Sequence, residues 1–228
     1  MKIIAFTPVW GRHKILNIWY EGIRRLKNKC NITPFCMVST NEDAEWAESR
    51  GIGYIDVVND PLGRKQNAGL EALRYTEFDY ICQISSDLLL TDKGLKMMLP
   101  YMEQGYPLIG FDGAYFVNGF DMEVVEFKID TESHKMIGAC RMVSHKVISK
   151  LDYKLWDDNL NRNLDRSSEA RVLGVDDRYI AINFNGAVGI KSDVQITPYG
   201  SIKRRATVVD VDLRDMVSDV EFKIISEL

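Results

Sequence analysis

The chain has 228 residues and a formal net charge of −4, and close to half of it is hydrophobic, which suffices for one domain with a sizeable core. The negative balance weighs against binding dominated by a nucleic-acid backbone, though it is compatible with a local basic patch. No apolar run approaches the ~20 residues that span a bilayer, and the apolar part of MKIIAFTPVWGR is too short for a secretory leader. Four scattered cysteines without a Cys-x-x-Cys pair give no zinc site and fit a reducing cytoplasm.

The run from Lys2 to Val9 is apolar and predicts a strand buried in a parallel sheet, ended by Thr7-Pro8. Lys14 to Lys27 places Leu16, Trp19, Ile23 and Leu26 on one helix face. In the loop between, Arg12 is placed either to reach a phosphate or to be solvated, and His13 reads as a loop histidine. A second strand over Thr33–Ser39, an acidic helix over Glu42–Arg50 and a third strand over Gly53–Val58 follow. This alternation implies parallel pairing with right-handed crossovers. From Leu62 the sequence reads LGRKQNAGLEALRYTEFDYICQISSDLLL. Gly63 opens a loop, and Arg64 and Lys65 bring two positive charges to the start of a helix, whose N-terminus already favours anions. Ala68, Leu70, Ala72, Leu73 and Tyr75 have helical spacing. Tyr80–Ile84 reads as a central strand. Ser85-Ser86-Asp87 follows at its carboxyl end, where open α/β sheets bind ligands.

The pattern Gly63-x-x-x-Asn67-x-Gly69-Leu70, then a short helix and an apolar strand ending in a short Asp motif, resembles the core of the family 2 glycosyltransferases of the GT-A fold. The resemblance is specific over Gly63–Asp87 and loose over the rest of Met1–Ser192. It implies a nucleotide diphosphate sugar as donor and a divalent metal, Mn²⁺ or Mg²⁺, held by the last Asp of an Asp-x-Asp motif. Ser85 replaces the first Asp here, and Asp87 stays as the metal ligand. Donor contacts are implied for Ser85 and Ser86, for Thr7 and Pro8 under the base, for Arg12, Arg64 and Lys65 around the diphosphate, and for Asn67. Asn41 and Asp43 lie where the family often contacts the base; Asn41 also reads as a helix N-cap.

Downstream, Thr91-Asp92 caps a helix carrying Leu95, Met98, Leu99 and Met102 on one face. A strand over Pro107–Phe111 precedes a β-hairpin or meander over Gly113–Ile129, with Glu123 and Glu126 solvated. Lys135–Arg141 reads as a short strand and Ser144 as a helix cap. By the resemblance, Gly138 lies in the segment that floors the sugar site. Trp156–Arg171 is polar and reads as non-core. The resemblance implies a catalytic carboxylate just ahead of a helix at this stage. Asp165, ahead of a helix over Ser167–Leu173, is preferred, with Asp176 and Asp177 as the competing pair and Asp157-Asp158 as a third choice. Short strands over Tyr179–Phe184 and Ala187–Ile190 lead to Lys191, which the resemblance places on the phosphates. The basic cluster Ser201–Arg205 is either solvated or in contact with a polyanion. Asp210-Val211-Asp212 matches Asp-x-Asp literally, but no Gly-x-x-x-Asn helix precedes it. The alternation of Val209, Val211 and Leu213 puts both carboxylates on the outer face of a strand, so it reads as a decoy.

The expected fold is α/β and GT-A-like: a mostly parallel central sheet flanked by helices, with a small β-hairpin or meander. It forms one domain over 1–228, with a nucleotide-binding half to about 112, an acceptor half to about 200 and a tail beyond. The implied activity is that of a metal-dependent, inverting glycosyltransferase, hexosyl or pentosyl. It would move sugar from a nucleotide diphosphate sugar, for instance a UDP sugar, to an acceptor hydroxyl. The acceptor (glycan, small molecule or modified DNA) stays open. The alternatives are a phage-encoded enzyme acting on hydroxymethylated DNA bases, a nucleotidyltransferase, and a non-catalytic sugar-nucleotide-binding module. The Gly-poor loop Pro8–Arg12 weighs against the nucleotidyltransferase.

Overall fold

A computed structural model describes residues 1–129, 135–192 and 198–228 of the protein. Its first half alternates as expected: β1 (Lys2–Pro8), α1 (His13–Lys27), β2 (Asn31–Val38), α2 (Asn41–Glu48), β3 (Gly53–Asp56), α3 (Leu62–Ala72) and β4 (Tyr80–Gln83). The pairing is parallel: Ala5 lies between Pro34 and Cys82, and Cys36 faces Tyr54. β1 is buried on both faces, which is why it reads as a continuous apolar run. Ile3 and Ala5 join the core under α1, with Leu16, Trp19, Ile23 and Leu26, while Ile4 and Phe6 join the core under α3, with Leu70 and Leu73.

The second half adds β5 (Leu88–Leu90), α4 (Asp92–Glu103), β6 (Leu108–Asn118), β7 (Val124–Lys128), β8 (Arg141–Ser144), α5 (His145–Lys150), α6 (Leu164–Leu173) and β9 (Tyr179–Lys191). α7 (Tyr199–Lys203), β10 (Thr207–Val208), a 3₁₀ turn (Leu213–Asp215) and α8 (Asp219–Ser226) end the chain. The ten strands join one sheet in the order β10-β7-β6-β8-β4-β1-β2-β3, with β9 on the other side of β6 and β5 beyond it. β8 is antiparallel between β4 and β6, and β9 runs parallel to β6. This is the expected α/β architecture, a mostly parallel central sheet flanked by helices. No helix among the described residues is long and apolar enough to cross a membrane.

Several local expectations change. Lys135–Arg141 is not a strand: Cys140 is left-handed at φ 55°, and pairing starts only at Arg141. The two short strands after Asp177 are one, β9, because it pairs with β6 over nearly its whole length. Gly113–Asn118 likewise continues β6, and the hairpin is its far half against β7. Gly63 lies inside the first turn of α3 and opens no loop. Trp156 is 2% exposed and stacks on Phe6 at 5.8 Å, so this polar stretch does reach the core. Glu123 is bound by Lys203 and Tyr199, and Glu126 accepts from Asn185, so neither is simply solvated. β10 stops at Val208; the alternation through Val211 forms no strand, and Asp212 instead caps the 3₁₀ turn.

Candidate functional site

The carboxyl ends of β1, β2 and β4 lie side by side. Thr7, fully buried, donates through Oγ1 to the carbonyl of Ile84 at 2.7 Å and ties the end of β4 to β1. Pro8 closes β1. After it Arg12, left-handed at φ 59°, stands at the N-cap of α1 and donates through Nη2 to Ser86 Oγ at 2.9 Å. Ser85 is exposed and Ser86 buried. The Asp87 carboxylate accepts from Lys191 Nζ at 2.7 Å, and its carbonyl accepts from the Ile190 amide at 2.8 Å. Lys191 Nζ also sits 5.4 Å from the centre of the Phe116 ring. Burial pushes the Asp87 carboxyl up, but the charges of Lys191 and Arg12 and its hydrogen bonds hold it below its usual value. The cause of this pairing is topological: β5 zips antiparallel onto β9, with Leu88 opposite Gly189, and so delivers Lys191 to a turn 104 residues earlier.

The divalent metal implied for Asp87 can be tested against these groups. Mn²⁺ and Mg²⁺ need several oxygen ligands, with carboxylates to balance the charge. The Ser-Ser-Asp turn supplies one carboxylate, already bound to an ammonium group, and Ser86 Oγ is engaged by a guanidinium. No group of three or more His, Cys, Asp or Glu side chains converges among the described residues. The donor set among the described residues does not fit the metal.

A second cluster lies at the same end of the sheet. Gln83 on β4 pairs with Arg141 on β8, so the turn before β8 runs beside Ile84 and Ser85. In that turn Gly138 approaches Asp165 so closely that a Cβ on it would sit 2.2 Å from Oδ2. Asp165 is in the first turn of α6, exposed, where a carboxylate also complements the helix dipole. The fully buried Arg141 fixes this contact. It donates to the carbonyls of Met136, Ile137 and Asp165 at 2.6, 2.7 and 2.7 Å and to Glu169 at 3.1 Å. The sequence offers no sign of this arginine clamp, because Asp165 and Glu169 lie 24 and 28 residues away and Arg141 reads as the end of a strand.

α3 behaves differently from expectation. Lys65 is fully buried, and its ammonium donates to the Val9 carbonyl at 2.6 Å, Ser39 Oγ at 2.5 Å and Asn59 Oδ1 at 3.0 Å, joining the ends of β1 and β2. Asn67 Oδ1 accepts from the amides of Leu155 and Trp156, each at 3.0 Å, while Nδ2 donates to the Trp156 carbonyl and Asp158 Oδ1, each at 2.8 Å. That exhausts the four hydrogen bonds an amide side chain can make, so none is left for a donor. A Cβ at Gly63 would lie 2.0 Å from the Asp157 carbonyl. The Gly-x-x-x-Asn spacing thus docks the 155–160 loop one turn along α3. Arg64 is exposed at the helix start.

The remaining candidates are scattered. Asn41 is exposed and is not the cap; Thr40 Oγ1 caps α2 by accepting from the Asp43 amide. Asp43 is fully buried, and its Oδ1 accepts from the Gly11 amide and contacts His13 Nε2, each at 2.9 Å. Its Oδ2 has no hydrogen-bond partner among the described residues. Asp176 and Asp177 precede β9, which starts beside Leu108 at the amino end of β6. They therefore lie at the opposite end of the strands from Asp87, and Asp176 is taken up by Arg178 at 2.9 Å. A cleft of about 240 Å³ opens beside the Asp87 cluster, lined by Arg12, His13, Lys14, Phe120 and Ser192 among others.

No protein-family model and no curated protein matches the sequence. Solved structures match the fold. A mannosyltransferase from Pyrobaculum calidifontis, in complex with GDP-Man and Mn²⁺, superposes with a TM-score of 0.57 at 8% identity, over 89% of this chain and 59% of its own. TarS 1-349 from S. aureus gives 0.54 at 12% identity, over 85% and 59%. The 4-diphosphocytidyl-2C-methyl-D-erythritolsynthase of Anaerococcus prevotii gives 0.50 at 13% identity, over 90% and 96%. The chain thus spans about three fifths of the first two. The fold is GT-A-like, and the mannosyltransferase, TarS and the synthase share it.

Proposed function

We propose that the protein transfers a sugar from a nucleotide diphosphate sugar to an acceptor hydroxyl. The observation that carries this reading is a cationic pair, Arg12 and Lys191, at the same sheet end as the exposed Asp165 carboxylate against Gly138. The leaving nucleoside diphosphate gains negative charge on its phosphate oxygens in the transition state, and fixed cations aimed there lower the barrier. In this reading Asp165 takes the proton of the attacking hydroxyl. A single displacement of this kind inverts the anomeric carbon. The donor half, to about residue 112, and the acceptor half share the work, because Lys191 comes from the latter.

The test is incubation with a panel of UDP, GDP and TDP sugars, with and without Mn²⁺, scoring free nucleoside diphosphate. Release with at least one donor is expected, at a rate that depends on the added acceptor. Pyrophosphate formed from a nucleoside triphosphate and a sugar phosphate, with no diphosphate release from any donor, would replace this reading by a nucleotidyltransferase.

A further inference from the structure

We propose that Lys191, held by Asp87, takes the place of the divalent cation, so that a nucleoside diphosphate is bound here without metal. The inference rests on the transferase reading for its ligand, but on the geometry alone for its claim about metal. The Asp87 carboxylate contacts Lys191 Nζ at 2.7 Å, and both side chains are about nine-tenths buried. The backbone bond from Ile190 to Asp87 and the Leu88–Gly189 pairing fix the two chains against each other, so the lysine is built into the turn and not laid over it. Its ammonium is backed by the face of Phe116, which attracts a cation and excludes water. Arg12 reaches the same turn through Ser86. The one carboxylate of the Ser-Ser-Asp turn, Asp87, is thus already matched by the Lys191 ammonium. Among the described residues a divalent ion would have to displace that ammonium from the turn's carboxylate, whereas a diphosphate is met by the Lys191 and Arg12 side chains. Ser85, at the start of the turn, adds a hydroxyl and no second carboxylate.

Two measurements on the full chain decide this. In the first, Mn²⁺ alone is titrated and followed by its free-ion electron paramagnetic resonance signal. The wild type should show no stoichiometric site, while Lys191→Met, which uncovers the carboxylate, should bind Mn²⁺ at least about tenfold more tightly than the wild type. The second substitution Asp87→Asn, in the Lys191→Met background, should remove that gain. One equivalent of Mn²⁺ bound by the wild type and lost in Asp87→Asn overturns the proposal. In the second measurement, UDP and GDP are titrated calorimetrically in EDTA and in Mn²⁺. Dissociation constants within about twofold of each other support it, and affinity gained about tenfold or more with Mn²⁺ and lost in Asp87→Asn overturns it. Lys191→Arg, which keeps the charge, should retain nucleotide binding where Lys191→Met loses it. If neither nucleotide binds in either condition the transferase reading fails, and the Mn²⁺ titration still decides the question of metal.

Discussion

Asn67 and Lys65 lie two residues apart in one helix, and both are buried polar groups whose partners come from elsewhere in the chain. Asn67 is saturated by the backbone of Leu155 and Trp156 and by Asp158. Asn67→Ala would leave two buried amides and a carbonyl without partners, at about 1–3 kcal/mol for each unsatisfied group. We expect a loss on the order of 3 kcal/mol in urea denaturation; a loss under about 1 kcal/mol would mean that the loop is held by something other than this amide. Lys65 makes a prediction in pH. Burial pulls its ammonium down to about 8, against the opposing pull of Asp43 and Asp56, from an ordinary 10.5. Between these two values the unfolded chain holds a proton that the folded chain has released, so stability rises with pH across that window. Cys36 acts in the other direction above about pH 9, because burial pushes its thiol up to about 12. The interval from pH 8 to 9 is therefore the cleanest. The difference between wild type and Lys65→Met should climb there, and a flat difference would assign the lysine no such shift.

At the scale of elements, the direction of the strands separates candidates that look alike in sequence. Asp165 starts α6 at the carboxyl end of the sheet, whereas Asp176 and Asp177 precede β9 at its amino end. Asp165→Asn should lower kcat by roughly 10²–10⁴-fold, the usual worth of a general base, with the donor dissociation constant unchanged. Asp176→Asn and Asp177→Asn should leave kcat near the wild type. A larger loss from either of these than from Asp165→Asn would show that this end assignment does not locate the base. The paired carboxylates at 210 and 212 belong to the same comparison. Both are exposed, and Asp212 caps a 3₁₀ turn, so their joint change to Asn should cost little turnover.

At the scale of the whole molecule, the tail is part of the core. Leu213, Val217 and Ile225 join a cluster with Ile18, Leu89, Val117 and Val188. Arg25 of α1 donates to both oxygens of the fully buried Glu221, at 3.2 and 3.1 Å, pairs with Asp92 of α4, and donates to the Leu90 carbonyl at 2.8 Å. One arginine thus joins α1, α4, α8 and β5, and β5 is the strand that presents Asp87 to Lys191. Arg25→Met leaves Glu221 buried without its cation, for which about 3–5 kcal/mol is the ordinary cost. The unfolding midpoint should fall accordingly. An unchanged midpoint would mean that α8 docks through its apolar face alone.

Local periodicity determined much of this protein. β1, α1, the Thr91 cap and the Ser144 cap are set by neighbours in sequence, and the alternation of strands with helices made the parallel half of the sheet legible. The Gly63–Asp87 stretch was legible as a motif because strand, helix and turn are contiguous there. What the motif residues touch was not. Gly63 and Asn67 meet a loop about 90 residues later, Lys65 bridges two strand ends, and Asp87 meets Lys191 across 104 residues. Side-chain partners of this kind depend on which strands pair and in what register. Sequence spacing carries that information only within one element, so the charge balance of the site was decided by β5 closing on β9.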